Sequence, residues 1–158
     1  SAGVVANDRG ITVWLKGNRV SRNQIMAIKE ESVTDQKNSL TVCLDNILRH
    51  AGITRNTEYD LAQGKTAIQI LEENMTGVQV LDLSGCSLDA VLYYVNQDIP
   101  VLAILEDGEA VLVTGFNEFN VVIMEPSTGK LYKKGMNDAT TWFAENGNHF
   151  ISYMKIDN

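Results

Sequence analysis

The hydrophobic residues of the chain change their spacing along its length, and this change predicts its secondary structure. Between residues 39 and 98 many recur at helical spacing, whereas from residue 100 onward they form short runs joined by polar turns. The segment 39–52 predicts a helix with Ser39 as a candidate N-cap and Gly52 at its end. Its apolar stripe consists of Leu40, Cys43, Leu44, Ile47 and Leu48.

The remaining elements follow from the same patterns. Helices are predicted around 57–63, 66–73, 85–98 and 137–147, with Asn137 or Asp138 as the cap of the last. Strands are predicted over 77–83, 100–105, 110–116, 120–125, 130–134 and 149–155. Helices followed by a meandering antiparallel sheet indicate an α+β fold. We expect an extension over 1–35, with a strand at 11–17 and a helix at 21–32, and one domain over 36–158.

Charge and composition restrict the classes of partner. The 158 residues carry a net charge of -7, which disfavours nucleic acid and anionic membranes as partners. No run approaches the ~20 apolar residues needed to span a bilayer, so we expect no membrane insertion by this chain. Its two cysteines are too few for a disulfide framework.

Neither a cofactor nor a metal site is predicted. The chain has no glycine-rich phosphate loop followed by a helix. Its two histidines, His50 and His149, have no partner at the i, i+4 spacing that a metal site on a helix needs. Structural roles are therefore expected for both, and His50 in the last helical turn opposes the negative end of the helix dipole.

Cys43 is the first candidate for chemistry, and two interpretations of it remain open. It lies about one turn into the predicted helix, where the positive end of the dipole favours a thiolate. Gln36, seven residues upstream, could offer its amide to an oxyanion. The apolar stripe equally explains Cys43 as a small buried hydrophobe. Cys86 also lies at a predicted helix start, where it could be a capping residue.

The order of segments from Gln36 to Tyr153 resembles the double-glycine peptidases that process bacteriocin leaders, and their papain-like relatives. In that family a Gln precedes a helix that begins with the nucleophilic Cys, and "TVCLDNILRHAG" looks like that helix. "GEAVLVTGF" is similar to the family's Gly-His strand, and "VVIMEPSTG" to its strand ending in Asp-Pro. The resemblance implies a papain-like fold, in which N-terminal helices pack on an antiparallel β-sheet.

Carried over by position, the resemblance implies Cys43 as nucleophile, Gln36 as oxyanion amide, Glu109 as base and Glu125 as base-orienting acid. The departures fall on these positions, because Glu109 replaces the family's His and Glu125 its Asp. The usual Cys-Gly-Pro is Cys43-Leu44-Asp45. A carboxylate cannot supply the imidazolium that stabilises a thiolate and protonates a leaving amine. It would instead raise the thiol pKa.

The sequence therefore favours a non-catalytic cysteine-peptidase-like domain. It would bind a peptide or protein segment in the former active-site cleft, for example by strand addition, or act as a module of a larger bacterial protein. The resemblance implies an extracellular or cell-surface location. One alternative is an active cysteine peptidase that cleaves peptides with Cys43 and an unusual base. Another is a structural module without a ligand, which a Cys43–Cys86 disulfide would favour.

Overall fold

The computed structural model describes residues 38–156 and three short strands before them, β1 (Asn7–Asp8), β2 (Gly10–Ile11) and β3 (Gln24–Ile25). Most of the predicted strand at 11–17 and helix at 21–32 lies outside the described residues. Within that predicted helix, Gln24 and Ile25 are strand residues that pair with Phe116 and Gly115. The helix prediction is wrong at these two positions, where pairing with a distant strand overrides the local apolar spacing.

Five helices lie within residues 38–156, each close to its predicted range. They are α1 (Ser39–His50), α2 (Glu58–Ala62), α3 (Ala67–Asn74), α4 (Leu88–Asn96) and α5 (Met136–Glu145). The predicted caps of α1 and α5 are wrong. Asn38 caps α1 by accepting a hydrogen bond from the backbone N of Thr41 at 2.9 Å. Gly135 precedes α5 without a side-chain cap. None of the described helices is long and apolar enough to cross a bilayer.

Six further strands form the main sheet in the order β4-β9-β5-β6-β7-β8, and β3 joins it by pairing with β6. They are β4 (Val78–Asp82), β5 (Val101–Ile104), β6 (Ala110–Phe116), β7 (Asn120–Glu125), β8 (Lys130–Gly135) and β9 (His149–Lys155). All pairings in this sheet are antiparallel. Strands β5 to β8 form the predicted meander, whereas the last strand, β9, inserts between β4 and β5.

The sheet has an apolar core on each face. Side chains of α1 and α3 pack with Leu102, Leu112 and Met124 on one face. Side chains of α4 and α5 pack with Val111 and Ile123 on the other. Because neighbouring residues of a strand point to opposite faces, the continuous apolar runs of β5 to β7 fit a sheet covered on both sides. This two-sided packing fixes α1 against the start of β6.

Candidate functional site

Helix α1 begins at Ser39, and this residue connects the helix to the sheet. The hydroxyl oxygen of Ser39 accepts a hydrogen bond of 2.8 Å from the backbone N of Ala110, the first residue of β6. Residue Glu109 directly precedes this contact in the chain. The start of α1 and the backbone next to Glu109 are therefore held together at one end of the sheet, which we call the site end. There β5 and β7 end and β6 begins.

Glu109 is exposed at the end of the β5–β6 turn. Its backbone N donates to Oδ1 of Asp107 at 2.9 Å, and its carbonyl accepts from the N of Leu105 at 2.8 Å. These bonds close the turn and fix the Glu109 backbone. The Glu109 backbone thus lies next to the residue that the first turn of α1 contacts.

Glu125, the last residue of β7, reaches the same end of the sheet. Leu112 pairs with Met124, and one further step along this register brings Glu125 next to Val111. The Glu125 carboxylate accepts from the Ser127 hydroxyl at 2.9 Å and from the Ser127 backbone N at 3.3 Å. Its partners therefore come from the β7–β8 turn, where they stabilise the turn.

Cys43 lies one helical turn after Ser39 and is fully buried, with 0% of its surface exposed. It packs in the core with Leu112 and Met124. Burial raises the pKa of the Cys43 thiol well above its ordinary value, and the charge of Glu125 raises the pKa further. The thiol is therefore protonated and covered in this structure. Both Cys43 and Cys86 are free thiols in this structure, so it does not show the disulfide that would favour a structural module.

The raised thiol pKa has a consequence for stability that can be measured. An unfolded thiol loses its proton near pH 8.5, whereas folded Cys43 keeps it. The contribution of Cys43 to stability is thus complete below pH 8.5 and decreases as the pH rises toward its folded pKa. We expect a loss of about 1.4 kcal/mol by pH 9.5 in urea unfolding of the wild type. Cys43→Ala should lack this decrease, and equal pH dependence in both proteins would contradict the expectation.

Gln36, the predicted oxyanion amide, lies outside the described residues. Of the four predicted site residues, the structure thus brings Glu109 and Glu125 to the site end and places Cys43 in the core behind them. Ser39 was not predicted as a site residue. Asn38 and Ser39 are both good capping residues. If Asn38 is the cap, Ser39 is the first helical residue. Cys43 follows it by four residues and therefore lies on the same face, one turn into the helix. The presence of two adjacent capping residues was therefore the sequence signal that Ser39 could begin the helix.

The two histidines lie at opposite ends of the sheet. His50 is the last residue of α1, so the length of the helix separates it from Ser39. His149 begins β9 at the site end, where it pairs with Ile104, and Ile104 pairs in turn with Ala110. Two strand spacings, about 10 Å, therefore separate the backbones of His149 and Ala110.

An open cleft of about 430 Å³ lies at the site end, and neither Ser39 nor Glu109 is among its lining residues. Among its lining residues, Gly108 precedes Glu109 in the chain and Ile104 pairs with Ala110, while His149 lies on the next strand. Its lining is apolar in the middle and polar at the rim, and comprises Ile68, Asp82, Ser84, Ile104, Leu105, Glu106, Gly108, His149 and Ile151. Hydrogen bonds from Ser84, together with the charge of His149, hold the pKa of Asp82 below its usual range. No group of three potential metal ligands occurs in the described part of the chain.

No protein-family profile matches the chain, and no curated protein matches it. Among solved structures, it is similar to a crystal structure from Bacillus anthracis that is described as a candidate C39-like peptidase. The TM-score is 0.68 at 14% sequence identity, and the alignment covers 85% of this chain and 98% of the other. At this identity the likeness concerns the fold. The chain has the α+β fold of the papain-like cysteine peptidases, with helices packed on an antiparallel sheet.

Proposed function

We propose that this domain is a non-catalytic relative of the papain-like peptidases and binds a peptide segment in the cleft at the site end. The observation that carries the proposal is the Ser39–Ala110 hydrogen bond at the start of α1, with Glu109 next to it and Cys43 buried one turn away. In the family that the sequence resembles, the nucleophile begins this helix. We therefore assign Ser39, rather than Cys43, to the position of the nucleophile.

The residues at these positions lack the chemistry of a cysteine peptidase. A serine hydroxyl needs a base that removes its proton and returns it to the leaving amine, and a positioned imidazole usually does this. The resemblance assigns the position of the base to Glu109. The Glu109 carboxylate belongs to the residue next to the Ser39–Ala110 contact, and a negative charge there would oppose a developing oxyanion. Peptide hydrolysis is therefore disfavoured, and the cleft at the same end of the sheet supports a binding role instead.

The cleft has the mixed surface that suits an extended peptide. Ile68, Ile104 and Ile151 offer apolar contacts, and Asp82 and Glu106 carry carboxylates at the rim. Its volume of about 430 Å³ is within the range of ligand clefts, roughly 300–1,000 Å³. Such a cleft can hold two or three side chains of a peptide while the rim contacts its backbone.

We expect a random-sequence decapeptide library to bind the protein without being cleaved. In NMR titrations, amide shifts should concentrate at Ile104, Gly108 and Ala110. Mass spectrometry of the library should show no new fragments after prolonged incubation. Ile68→Glu should weaken binding at least about tenfold, because a charge would lie in the apolar middle of the cleft.

The matched control is Met154→Glu, an exposed position on β9 outside this cleft, which should bind as the wild type does. Shifts that are absent, or that lie elsewhere on the domain, would contradict peptide binding and favour a structural module. Cleavage of library peptides that disappears in Cys43→Ala would establish the alternative, an active cysteine peptidase. Cleavage that persists in Cys43→Ala but disappears in Ser39→Ala would also contradict a non-catalytic domain, because it would identify Ser39 as the nucleophile.

A further inference from the structure

A second cleft lies at the opposite end of α1, away from Ser39. Its volume is about 630 Å³. Its floor is formed by apolar side chains of three different elements, and polar groups of both charges stand around it. The lining that matters for its chemistry is His50, Met75, Val78, Asp98, Tyr153 and Lys155. The 12 residues of α1 span about 18 Å, so this cleft is separate from the one at the site end.

The end of α1 fixes the anionic side of this cleft. Nε2 of His50 lies 3.0 Å from the carbonyl oxygen of Asp98 and 3.7 Å from Oδ2 of the same residue. Asp98 has a φ of 67°, a left-handed conformation that aspartate and asparagine tolerate better than most residues. The contact with His50 holds this backbone in place, while the Asp98 side chain stays 63% exposed. A carboxylate is thus presented at the rim with room for a ligand.

Tyr153 supplies a polar group on the floor of the cleft, although most of its ring is buried. Only 3% of its surface is exposed, and it packs in the core under α1 while lining the cleft. Its phenol oxygen makes no hydrogen bond to a described residue and is not among the fully buried atoms that lack a partner, so the hydroxyl is open to the cleft. Burial, together with the Asp98 charge, raises the Tyr153 pKa, so the phenol keeps its proton. It is therefore a hydrogen-bond donor whose acceptor must come from a ligand or from solvent.

Lys155 supplies the positive charge. It lies two residues beyond Tyr153 on β9, so both side chains leave the same face of the sheet, about 7 Å apart along the strand. Lys155 pairs with Val78 of β4, whose side chain also lines the cleft. The cleft thus has an ammonium and a phenol on its β9 side, a carboxylate on the Asp98 side and an apolar surface between them.

We propose that this second cleft binds a free α-amino acid with an apolar side chain. Its carboxylate would accept hydrogen bonds from the Tyr153 hydroxyl and the Lys155 ammonium. Its ammonium would face the carboxylate of Asp98. Its side chain would pack on Met75, Val78 and neighbouring apolar groups. Such a ligand matches both charges and the apolar surface at once, whereas a simple carboxylate adds no contact to Asp98 and a simple amine adds none to Tyr153.

The proposal is independent of peptide binding at the site end, because the two clefts share no lining residue. We expect L-leucine to bind with a Kd of about 1 mM or below, an ordinary value for a small ligand held by a few polar contacts. N-acetyl-L-leucine, which lacks the ammonium, and L-leucinamide, which lacks the carboxylate, should bind at least about tenfold more weakly. Isothermal titration calorimetry measures the affinities, and NMR amide shifts at Gly77, Asp98 and Lys155 locate the site.

Three variants test the assigned contacts. Tyr153→Phe, Lys155→Met and Asp98→Asn should each weaken leucine binding at least about fivefold, and Asp98→Asn should reduce the difference between leucine and its N-acetyl derivative. Asparagine tolerates the left-handed backbone at this position and leaves the Asp98 carbonyl bonded to His50. The matched controls, Tyr132→Phe and Lys133→Met on β8, should bind as the wild type does.

Amide spectra first confirm that each variant is folded. The proposal would be overturned if wild-type protein bound no leucine at a concentration about 20-fold above the expected Kd, or if leucine, its N-acetyl derivative and its amide bound equally. Leucine binding that the β8 controls weaken as much as the cleft variants would also overturn it.

Discussion

Cys43 in the folded protein is expected to react with iodoacetamide about a thousandfold more slowly than in the urea-unfolded protein at the same pH. Two properties of the structure combine to give this protection. The thiol has no exposed surface, so reaction requires a local or global opening of the domain. Burial and the Glu125 charge also raise its pKa, and only the thiolate reacts at an appreciable rate. A thousandfold protection corresponds to an opening free energy of about 4 kcal/mol, below the stability of an ordinary domain.

The measurement is the alkylation rate at each cysteine between pH 7 and 9.5, resolved by mass spectrometry of peptides. Cys86 is half-buried outside the apolar core around α1 and serves as the internal control, because it should react much faster than Cys43. Rapid alkylation of Cys43 with a midpoint below pH 8.5 would mean that the thiol is accessible and activated. That outcome would favour the active-peptidase alternative and contradict the core position.

The second large effect is expected from restoring a cysteine and a histidine at the site end. In a Cys43→Ala background, Ser39→Cys places a thiol at the first residue of α1, where the helix dipole and the Ala110 N–H stabilise a thiolate. We expect Glu109→His to put an imidazolium near that thiolate in place of a carboxylate, because residue 109 adjoins the Ala110 contact. At pH 6.5 we expect the thiol introduced at position 39 of the Ser39→Cys/Glu109→His protein to be alkylated at least about a thousandfold faster than wild-type Cys43.

The comparison that isolates the histidine is Ser39→Cys/Glu109→Gln in the same background. Glutamine removes the carboxylate without supplying an imidazole, and the thiol of this variant should react about tenfold more slowly than that of the histidine variant at pH 6.5. Equal rates in the two variants would show that residue 109 does not act on residue 39. A thiol at position 39 that is as protected as Cys43 would show that the start of α1 does not face the cleft. Either result would remove the assignment of Ser39 to the nucleophile position.

These experiments separate two positions that sequence reasoning could not separate. Ser39 and Cys43 are one helical turn apart and share a face of the helix. The apolar stripe shows which face packs on the sheet, but it does not show which of the two residues lies nearest the sheet edge. The structure distinguishes them through a hydrogen bond between residues 71 positions apart in the chain. Because the Ser39 hydroxyl binds the start of β6, Asn38 caps the helix instead. The prediction of Ser39 as cap was wrong because it considered only local competition for the free backbone N–H groups.

The secondary structure between residues 38 and 156 was predictable because its causes are local. The stripe through Leu40, Leu44 and Ile47 repeats at helical spacing, and the runs in β5, β6 and β7 are short, apolar and bounded by turn residues. Gly52, with a φ of 87°, ends α1 as predicted, since glycine adopts this conformation without a steric penalty. The α+β class and the segment order that resembles papain-like peptidases follow from the same local patterns.

Tertiary structure decided which of these residues meet. The insertion of β9 between β4 and β5 brings His149 to the site end and Tyr153 and Lys155 to the second cleft, and no local pattern encodes that pairing. Burial decided the state of Cys43, since the same helix position would favour a thiolate if it faced water. The sequence by itself determined most of the elements, and its resemblance to the family predicted that Glu109 and Glu125 take the positions of a histidine and an aspartate. Only the packing of distant strands and helices determined that the thiol is covered, that Ser39 begins the helix beside Glu109, and that a second cleft lies at the other end of α1.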